Sequence, residues 1–153
     1  MTSAVEMRAA ARLMAASDPW HKLGLTSRHC LKAFKVPYRE TLLAVAGPEL
    51  AGLVTITMYG TFRGYIQSLF VAPGFRGTGV GAELLGRAEK KIFKKAPNVF
   101  LCVSSFNKGA QRFYRRQGYA RIGALKDFVV RGQDEVLMRK TIAPSLGFKG
   151  KNV

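Results

Sequence analysis

The segment from Leu69 to Ala82 has the composition of an anion-binding turn. An apolar run, Leu69-Phe70-Val71, leads through Pro73-Gly74 to Arg76 and to three alternating glycines at positions 77, 79 and 81. Because glycine lacks a Cβ, the backbone can curl tightly and several N–H groups can point at one place. A helix that begins here adds unpaired donors and partial positive charge. The pattern favours a phosphate or pyrophosphate site over a turn that uses glycine for geometry alone.

Two other glycine-rich phosphate sites fit this turn less well. Gly77-x-Gly79-x-x-Ala82 matches a variant of the dinucleotide-binding fingerprint. That fingerprint places the turn directly after the strand, whereas residues 73–76 intervene here. The next apolar run also ends in Val103-Ser104-Ser105, with no acidic residue to hold a ribose. A nucleoside-triphosphate loop needs a Lys-Ser or Lys-Thr pair, which this turn does not contain.

A second group of residues begins at Asn107. Asn107 is placed to cap a helix, and Ala110, Phe113 and Tyr114 share one face of that helix by i+3 and i+4 spacing. Gly118 is suited to end the helix in a left-handed conformation. The phenol of Tyr114 can donate a proton, although an aromatic residue at this spacing is more often a packed one.

A mixed sheet is the scaffold that would position these two segments. The apolar runs, turn residues and caps predict the order helix–helix–β–β–β–α–β–α–β–β. The predicted elements are helices at 3–16 and after Thr26, strands at 41–46, 52–59 and 65–71, a helix at 79–95, a strand at 99–104, a helix after Asn107, and strands at 119–130 and 135–140. We expect an α/β (α+β) fold with a mixed, mostly antiparallel twisted sheet of about six to seven strands and helices on both faces.

The composition indicates one globular domain with a large excess of positive charge. The 153 residues are 48% hydrophobic and 22% charged, which is enough to bury a core. A net charge of +16 favours anionic partners but does not choose among them. Cys30 and Cys102 lie in apolar contexts, so we expect free thiols in a reducing cytoplasm and no metal site. Neither a membrane span nor a secretion signal is predicted.

The two segments together resemble the GCN5-related N-acetyltransferase (GNAT) family. Arg76-x-x-Gly79-x-Gly81 after Leu69-x-Val71-x-Pro73 is similar to the acetyl-CoA-binding motif of that family. Asn107-x-x-Ala110-x-x-Phe113-Tyr114-x-x-x-Gly118-Tyr119 is similar to its second cofactor motif, and residues 134–140 are similar to its last strand. The resemblance covers roughly residues 41–140 in element order.

The resemblance implies an acetyl-CoA-dependent N-acetyltransferase with a ternary complex. It implies that the strands ending near Val71 and Ser104 splay apart around the pantetheine arm, with Val71 as a backbone oxyanion donor and Tyr114 as general acid. The residues it places at the cofactor are Leu69, Phe70, Val71, Arg76, Gly77, Thr78, Gly79, Val80, Gly81, Ala82, Asn107 and Tyr114. By the same resemblance, the amine acceptor would meet residues 18–21 and 128–133.

The general base is open at this point. Many family members carry a glutamate on the strand before the glycine turn, but here that strand reads Gly64-Tyr65-Ile66-Gln67-Ser68-Leu69. Glu40, His21 and Asp127 are candidates by chemistry alone. A water chain, or an acceptor that enters already neutral, would serve as well. The N-terminal segment also reads as a helix where the family usually begins with a strand.

Several further expectations concern organisation and partners. We expect one domain over residues 1–140 and a flexible tail over residues 141–153, with a homodimer left open. The acceptor is a small-molecule amine, a protein N-terminus or a lysine. The alternatives are a basic nucleic-acid-binding module without chemistry, which the scarce pairing of basic and aromatic residues disfavours, and a regulatory domain that binds coenzyme A on the same fold.

Overall fold

The chain begins with two helices whose first turns are capped by their own side chains. In the computed structural model, which describes residues 3–151, α1 spans Ala4–Ala15 and α2 spans Ser27–Phe34. The Ser3 amide donates to Glu6 Oε2 at 2.6 Å, and the Thr26 amide donates to His29 Nδ1 at 3.0 Å. These bonds satisfy amides that a helix start leaves free. Both helices therefore begin where the sequence predicts.

Six strands form one mixed sheet behind these helices. Their bounds are β1 Arg39–Ala46, β2 Glu49–Thr57, β3 Tyr65–Val71, β4 Asn98–Ser104, β5 Ala120–Leu125 and β6 Glu135–Thr141. The order across the sheet is β1-β2-β3-β4-β6-β5, and each neighbouring pair is antiparallel except β3 and β4. The predicted mixed, mostly antiparallel sheet is confirmed, at the lower of the two expected strand numbers.

Two helices connect the central strands. A 3-10 turn at Pro73–Phe75 follows β3, α3 spans Val80–Phe93 and leads to β4, and α4 spans Lys108–Arg116 between β4 and β5. Asn107 caps α4, because its Oδ1 accepts from the Ala110 amide at 3.1 Å. Gly118 follows α4 with φ +93°, the left-handed conformation expected of it.

The sheet is buried on both faces. One core joins α3 and α4 to the sheet and includes Val54, Leu85 and Ile92, and the other joins α1 and α2 to it and includes Met14, Leu53 and Phe70. Neighbouring β2 residues Leu53 and Val54 are each fully buried in a different core. Period-two alternation in a strand covered on both faces explains this pattern and confirms helices on both sides.

The parallel ladder between β3 and β4 is short. It pairs Tyr65 with Phe100 and Ile66 with Leu101, and the described residues of β3 beyond Ile66 have no partner on β4. The β2–β3 register shifts between Thr55 and Ile56, where Gln67 is the extra residue on β3. Such a bulge bends the strand and increases its twist. The carboxyl-terminal halves of β3 and β4 are therefore not hydrogen-bonded to each other.

The observed bounds differ most from the sequence reading at β2 and β5. β2 begins at Glu49 rather than at residue 52, β5 ends at Leu125 rather than at residue 130, and residues 126–134 form turns. No strand precedes α1 in the described chain. The domain boundary and flexible tail stay predictions. After β6, the Ile142 amide donates to Pro97 O at 3.0 Å and the Lys151 amide to Phe93 O at 2.9 Å. None of the helices within residues 3–151 is long and apolar enough to cross a membrane.

Candidate active site

The glycine turn leaves a row of backbone donors free. Gly77 and Gly79 have φ +74° and +89°, and a Cβ at either would meet nothing within 4 Å, so these glycines are required by conformation and not by space. Gly79 is the N-cap of α3. Within residues 3–151, the amides from Gly77 to Ala82 have no protein hydrogen-bond acceptor. Six unpaired donors at a helix start are the donor set that a pyrophosphate needs.

Side chains of the turn are mostly held away from these amides. Arg76 Nε donates to the Val71 carbonyl at 3.3 Å, and the Thr78 hydroxyl donates to the Phe75 carbonyl. Thr78 is the one candidate of the turn that does not line the adjoining cleft. Because its hydroxyl is engaged by the Phe75 carbonyl, the backbone amide is the donor that Thr78 leaves free.

A cleft of about 710 Å³ opens over the turn and runs along β3 and α4. Of the residues predicted for the cofactor, those that line it are Leu69, Phe70, Val71, Arg76, Gly77, Gly79, Val80, Gly81, Ala82, Asn107 and Tyr114. The structure thus brings together the two motifs, which are separated in sequence by α3 and β4. The donor set, the volume and the unpaired edge of β3 fit acetyl-CoA.

Helix α4 is fastened to the end of β4 so that Tyr114 is fixed. Gln111 is buried and its Nε2 donates to Ser104 O at 3.3 Å and to Ser105 O at 3.1 Å. Tyr114 is 8% exposed and packs edge-to-face on Tyr119, with ring centroids 5.6 Å apart. Burial raises the pKa of Tyr114, so its hydroxyl stays protonated and able to donate through neutral pH.

A second cavity of about 220 Å³ lies on the α1–α2 side of the sheet. It is mostly apolar, and its lining includes residues from both segments predicted to meet an acceptor. These residues are Pro19, Trp20, Phe128 and Val129. Leu23, Leu25 and Met14 add further apolar walls. We refer to it below as the acceptor cavity.

The cleft and the acceptor cavity meet where β3 and β4 lose their pairing. Six residues line both: Pro19, Trp20, Leu69, Asn107, Ala110 and Tyr114. Trp20 stands edge-to-face on Phe70, with ring centroids 5.8 Å apart. A ligand in the cleft and a ligand in the acceptor cavity would therefore meet beside Tyr114, as direct transfer in a ternary complex requires.

One carboxylate stands in the acceptor cavity. Glu135, the first residue of β6, pairs with Ser104 of β4 and is 6% exposed. Glu135 Oε2 and Ser104 Oγ are both buried without a hydrogen-bond partner. Burial raises the pKa of the Glu135 carboxyl, and the neighbouring Ser104 hydroxyl opposes that rise. Tyr65 and Cys102 line the same region, and burial also raises the pKa of each of these two groups.

The three bases suggested by sequence lie outside both cavities. Glu40 forms an ion pair with Lys91 on the far side of the sheet. His21 is exposed, 4.0 Å from Asp18. Asp127 Oδ1 accepts from the Gly132 amide at 2.7 Å within the β5–β6 connection. None of the three lines the cleft or the acceptor cavity, which agrees with a structural or surface role for each of them.

Sequence reasoning missed Glu135 although its signal was available. The run Glu135-Val136-Leu137-Met138 is apolar except at its first position. Val136 and Met138 belong to the core on the α3–α4 side of the sheet. Because side chains alternate along a strand, Glu135 and Leu137 face the opposite side. A carboxylate at the start of an apolar strand is a candidate functional residue. Its neighbours are known only from the fold, which places it in the acceptor cavity.

The chain matches proteins of known family over most of its length. Residues 6–119 match the model of the acetyltransferase (GNAT) family. The chain is 28% identical over 134 residues to the N-alpha-acetyltransferase RimI of Mycobacterium tuberculosis, covering 85% of this chain and 80% of that protein. It is also 39% identical over 75 residues to the N-alpha-acetyltransferase MAK3 of Arabidopsis thaliana. That match covers 48% of this chain and 40% of the MAK3 protein.

The fold has close neighbours among solved structures. An aminoglycoside 6'-N-acetyltransferase in complex with coenzyme A superposes with a TM-score of 0.74 at 21% identity, covering 93% of each chain. The chain belongs to the GNAT family of acetyltransferases. As such it is an acetyl-CoA-dependent N-acetyltransferase, which confirms the enzyme class and cofactor predicted from the two motifs. The non-catalytic nucleic-acid-binding module and the regulatory domain are not favoured.

Proposed function

We propose that this enzyme acetylates the α-amino group of a peptide or protein N-terminus whose first side chain is small or apolar. The observation that carries the proposal is the acceptor cavity, which is apolar, meets the cofactor cleft beside Tyr114 and has a single acidic residue in its described lining. Relatives named as N-alpha-acetyltransferases support the same acceptor class.

The dimensions and charge of the acceptor cavity favour this acceptor over a polycation. Its volume of about 220 Å³ is below the roughly 300–1,000 Å³ of pockets for drug-sized ligands. An aminoglycoside carries several ammonium groups, which would need several carboxylates, whereas Glu135 is the one acidic residue lining the cavity. A net charge of +16 also repels polycations and favours an acceptor with acidic residues beyond its first position.

An α-amine also requires less of the enzyme than a lysine does. A free α-amine has a pKa of about 7.7–8.0, compared with about 10.4 for lysine. At neutral pH a useful fraction of an N-terminus is already neutral, and one base in a buried site can serve the remainder.

The chain's own residues hold acetyl-CoA in this proposal. When bound, that group supplies an acyl thioester that an amine can attack. The free amides of residues 77–82 bind the pyrophosphate, and Arg76, which lines the same cleft, adds positive charge. The unpaired edge of β3 at Leu69 and Val71 binds the pantetheine arm, and Asn107 contacts it from α4. The Val71 amide donates to the acyl oxygen, and Tyr114 returns a proton to the sulfur.

The two thiols support a reducing compartment for this reaction. Cys30 is buried and Cys102 is half-buried, and both are free. Free thiols in these positions are typical of cytoplasmic proteins, so we place the enzyme in the cytoplasm. A homodimer stays a prediction.

An acceptor panel tests the proposed function. Thiol release from acetyl-CoA is followed with peptides that begin in Ala, Ser or Met, with the same peptides carrying a blocked N-terminus and an internal Lys, and with an aminoglycoside. Mass spectrometry then locates the acetyl group. We expect turnover with free N-termini at a kcat/KM at least 10-fold above the other acceptors. A higher kcat/KM with the blocked lysine peptide or the aminoglycoside would refute the proposal.

A further inference from the structure

The carboxylate of Glu135 in the acceptor cavity has no cationic partner among the residues that line it. Glu135 is 6% exposed, and its Oε2 is buried without a hydrogen bond. Burying a charged group without a partner is costly, and buried polar atoms in native proteins are rarely left unsatisfied. The Ser104 hydroxyl beside Glu135 lowers its pKa but carries no charge, so the buried carboxylate still lacks a cation, which points to a partner that arrives with the substrate.

No cation of the protein neutralises this carboxylate from the walls of the cavity. In the described part of the chain, neither Lys nor Arg lines the acceptor cavity. The groups that face Glu135 there are the Tyr65 phenol from β3 and, from β4, the Cys102 thiol and the Ser104 hydroxyl. His29 lines the cavity from α2, but its Nδ1 is engaged by the Thr26 amide and hydroxyl at 3.0 and 2.9 Å.

We propose that Glu135 receives the ammonium group of the acceptor and takes one proton from it before the amine attacks. The inference rests on the proposed function, because it assigns the proton acceptor of the same site. One N–H bond breaks and an O–H bond forms on the carboxylate, so the freed lone pair can form the N–C bond. The C–S bond of the thioester breaks, and the proton from Tyr114 goes to the sulfur. A second N–H bond of the attached nitrogen breaks as the amide forms, and that proton returns to the Tyr114 phenolate. The proton on Glu135 then leaves to solvent through the open side of the cavity.

The titration of the neighbours supports this assignment. Burial raises the pKa of Tyr65 and of Cys102, so both stay neutral at neutral pH and neither competes as a base. Burial also raises the pKa of the Glu135 carboxyl above its ordinary value, against the opposing effect of the Ser104 hydroxyl. A base works best when its pKa lies near the operating pH.

The first experiment compares Glu135→Gln with Glu49→Gln. Glu49 lies exposed in the β1–β2 hairpin, so its change removes the same charge outside both cavities. With an N-terminal peptide at pH 7, we expect Glu135→Gln to lower kcat/KM about 100-fold and Glu49→Gln to stay within about twofold. The defect of Glu135→Gln should shrink at least 10-fold at a pH well above the acceptor pKa, because the amine is then already neutral. A folded Glu135→Gln enzyme with the wild-type pH profile would overturn the proposal.

A second measurement needs neither turnover nor a variant. The chain has six glutamates, so ¹³C NMR of protein labelled at the glutamate carboxyl gives few signals to follow. We expect one signal to titrate well above the ordinary glutamate pKa of about 4.3 and to shift when an N-terminal peptide is added with coenzyme A. If all six titrate at or below that value, Glu135 is not the base.

The two measurements also separate failure of this inference from failure of the proposed function. If the wild type ignores N-terminal peptides and acetylates another amine, the proposed function fails, and the Glu135→Gln comparison is made with that amine. A pH-dependent defect there would still support Glu135 as proton acceptor. If N-terminal peptides are good substrates and Glu135→Gln matches the wild type at each pH, the proposed function stands and the inference fails.

Discussion

Tyr65 of β3 pairs with Phe100 of β4, and the parallel ladder ends at the next pair, Ile66 and Leu101. Beyond that point the two strands border a gap that Tyr114 enters from α4 and that joins the cofactor cleft to the acceptor cavity. A bulge at Gln67 accompanies the loss of pairing. The unpaired backbone of β3 is thereby available to a ligand, as an edge strand is, although β3 lies in the middle of the sheet.

Removing the Tyr114 hydroxyl tests its role as proton donor. We expect Tyr114→Phe to lower kcat roughly 10- to 100-fold with little change in coenzyme A binding, because only the donated proton is lost. Steady-state kinetics and calorimetric titration with coenzyme A measure the two effects. Unchanged kcat would remove Tyr114 as the acid.

Tyr119→Phe is the matched control for that variant. Tyr119 packs against Tyr114 but lines neither cavity, and its hydroxyl donates to Glu89 Oε1 at 2.9 Å. Its loss should lower the free energy of unfolding by about 1.5–3 kcal/mol, as for a hydrogen bond to a charged group, while kcat stays within about twofold. An equal fall in kcat for both variants would indicate general damage to the aromatic cluster.

The glycine turn is tested by adding one methyl group at Gly79. Gly79 has φ +89°, a conformation that costs an L-residue about 1–2 kcal/mol. We expect Gly79→Ala to weaken coenzyme A binding about 10-fold. The backbone would relax to a conformation that alanine favours, and the amides of residues 77–82 would then no longer point together at the pyrophosphate. Calorimetric titration measures the dissociation constant.

Gly86→Ala provides the comparison for Gly79→Ala. Gly86 lies inside α3, where an added Cβ meets nothing within 4 Å. Alanine favours a helix by about 1 kcal/mol over glycine, so this variant should raise the free energy of unfolding and leave coenzyme A binding unchanged. If Gly79→Ala binds coenzyme A as tightly as Gly86→Ala does, the turn does not hold the pyrophosphate.

Local signals allowed the sequence to predict most of the scaffold. The caps at Thr26 and Asn107 and the left-handed Gly118 depend on neighbours within a few residues. The alternating glycines at 77 and 79 likewise specify their own turn. The order of helices and strands along the chain followed from the apolar runs and the turn residues between them. Caps and turns can be predicted from the sequence because the residues that determine their geometry are close together along the chain.

The acceptor side could not be predicted in the same way. Glu135 faces Ser104 and Cys102 because β6 lies between β4 and β5 in the sheet. The residues that pair between β4 and β6 are more than 30 positions apart in sequence. The bulge at Gln67 depends on β2, and no residue at that point is a glycine or proline that would indicate it. Reading candidate bases by residue type alone therefore led to Glu40, His21 and Asp127, each of which lies elsewhere.

The burial of Glu135 predicts a pH-dependent effect on stability. Its pKa is raised in the folded protein, so its contribution to stability is fully present below the unfolded pKa of about 4.3 and is lost as pH rises through the folded pKa. Glu135→Gln has no such loss. The Tm of this variant minus that of the wild type should therefore increase from pH 4 to pH 8 in thermal unfolding scans.

Glu49→Gln is again the control for the stability series. Glu49 is exposed, so the difference in Tm between this variant and the wild type should show no comparable rise with pH. A flat difference for Glu135→Gln would mean that the carboxylate is not held in an environment that disfavours its charge. A stability gain together with an activity loss would identify Glu135 as a group kept for function at a cost to the fold.

Phe128 tests whether the β5–β6 connection forms a wall of the acceptor cavity. It lines the cavity yet is 55% exposed, so the fold does not depend on its ring. We expect Phe128→Ala to raise the KM for an N-terminal peptide about 3- to 10-fold with kcat unchanged, since about 1 kcal/mol of apolar contact is lost equally from substrate and transition state. Leu146→Ala, at a residue 98% exposed and outside both cavities, should change neither constant. Equal KM values for the two variants would place the acceptor elsewhere, because a ligand that fills the cavity must contact Phe128.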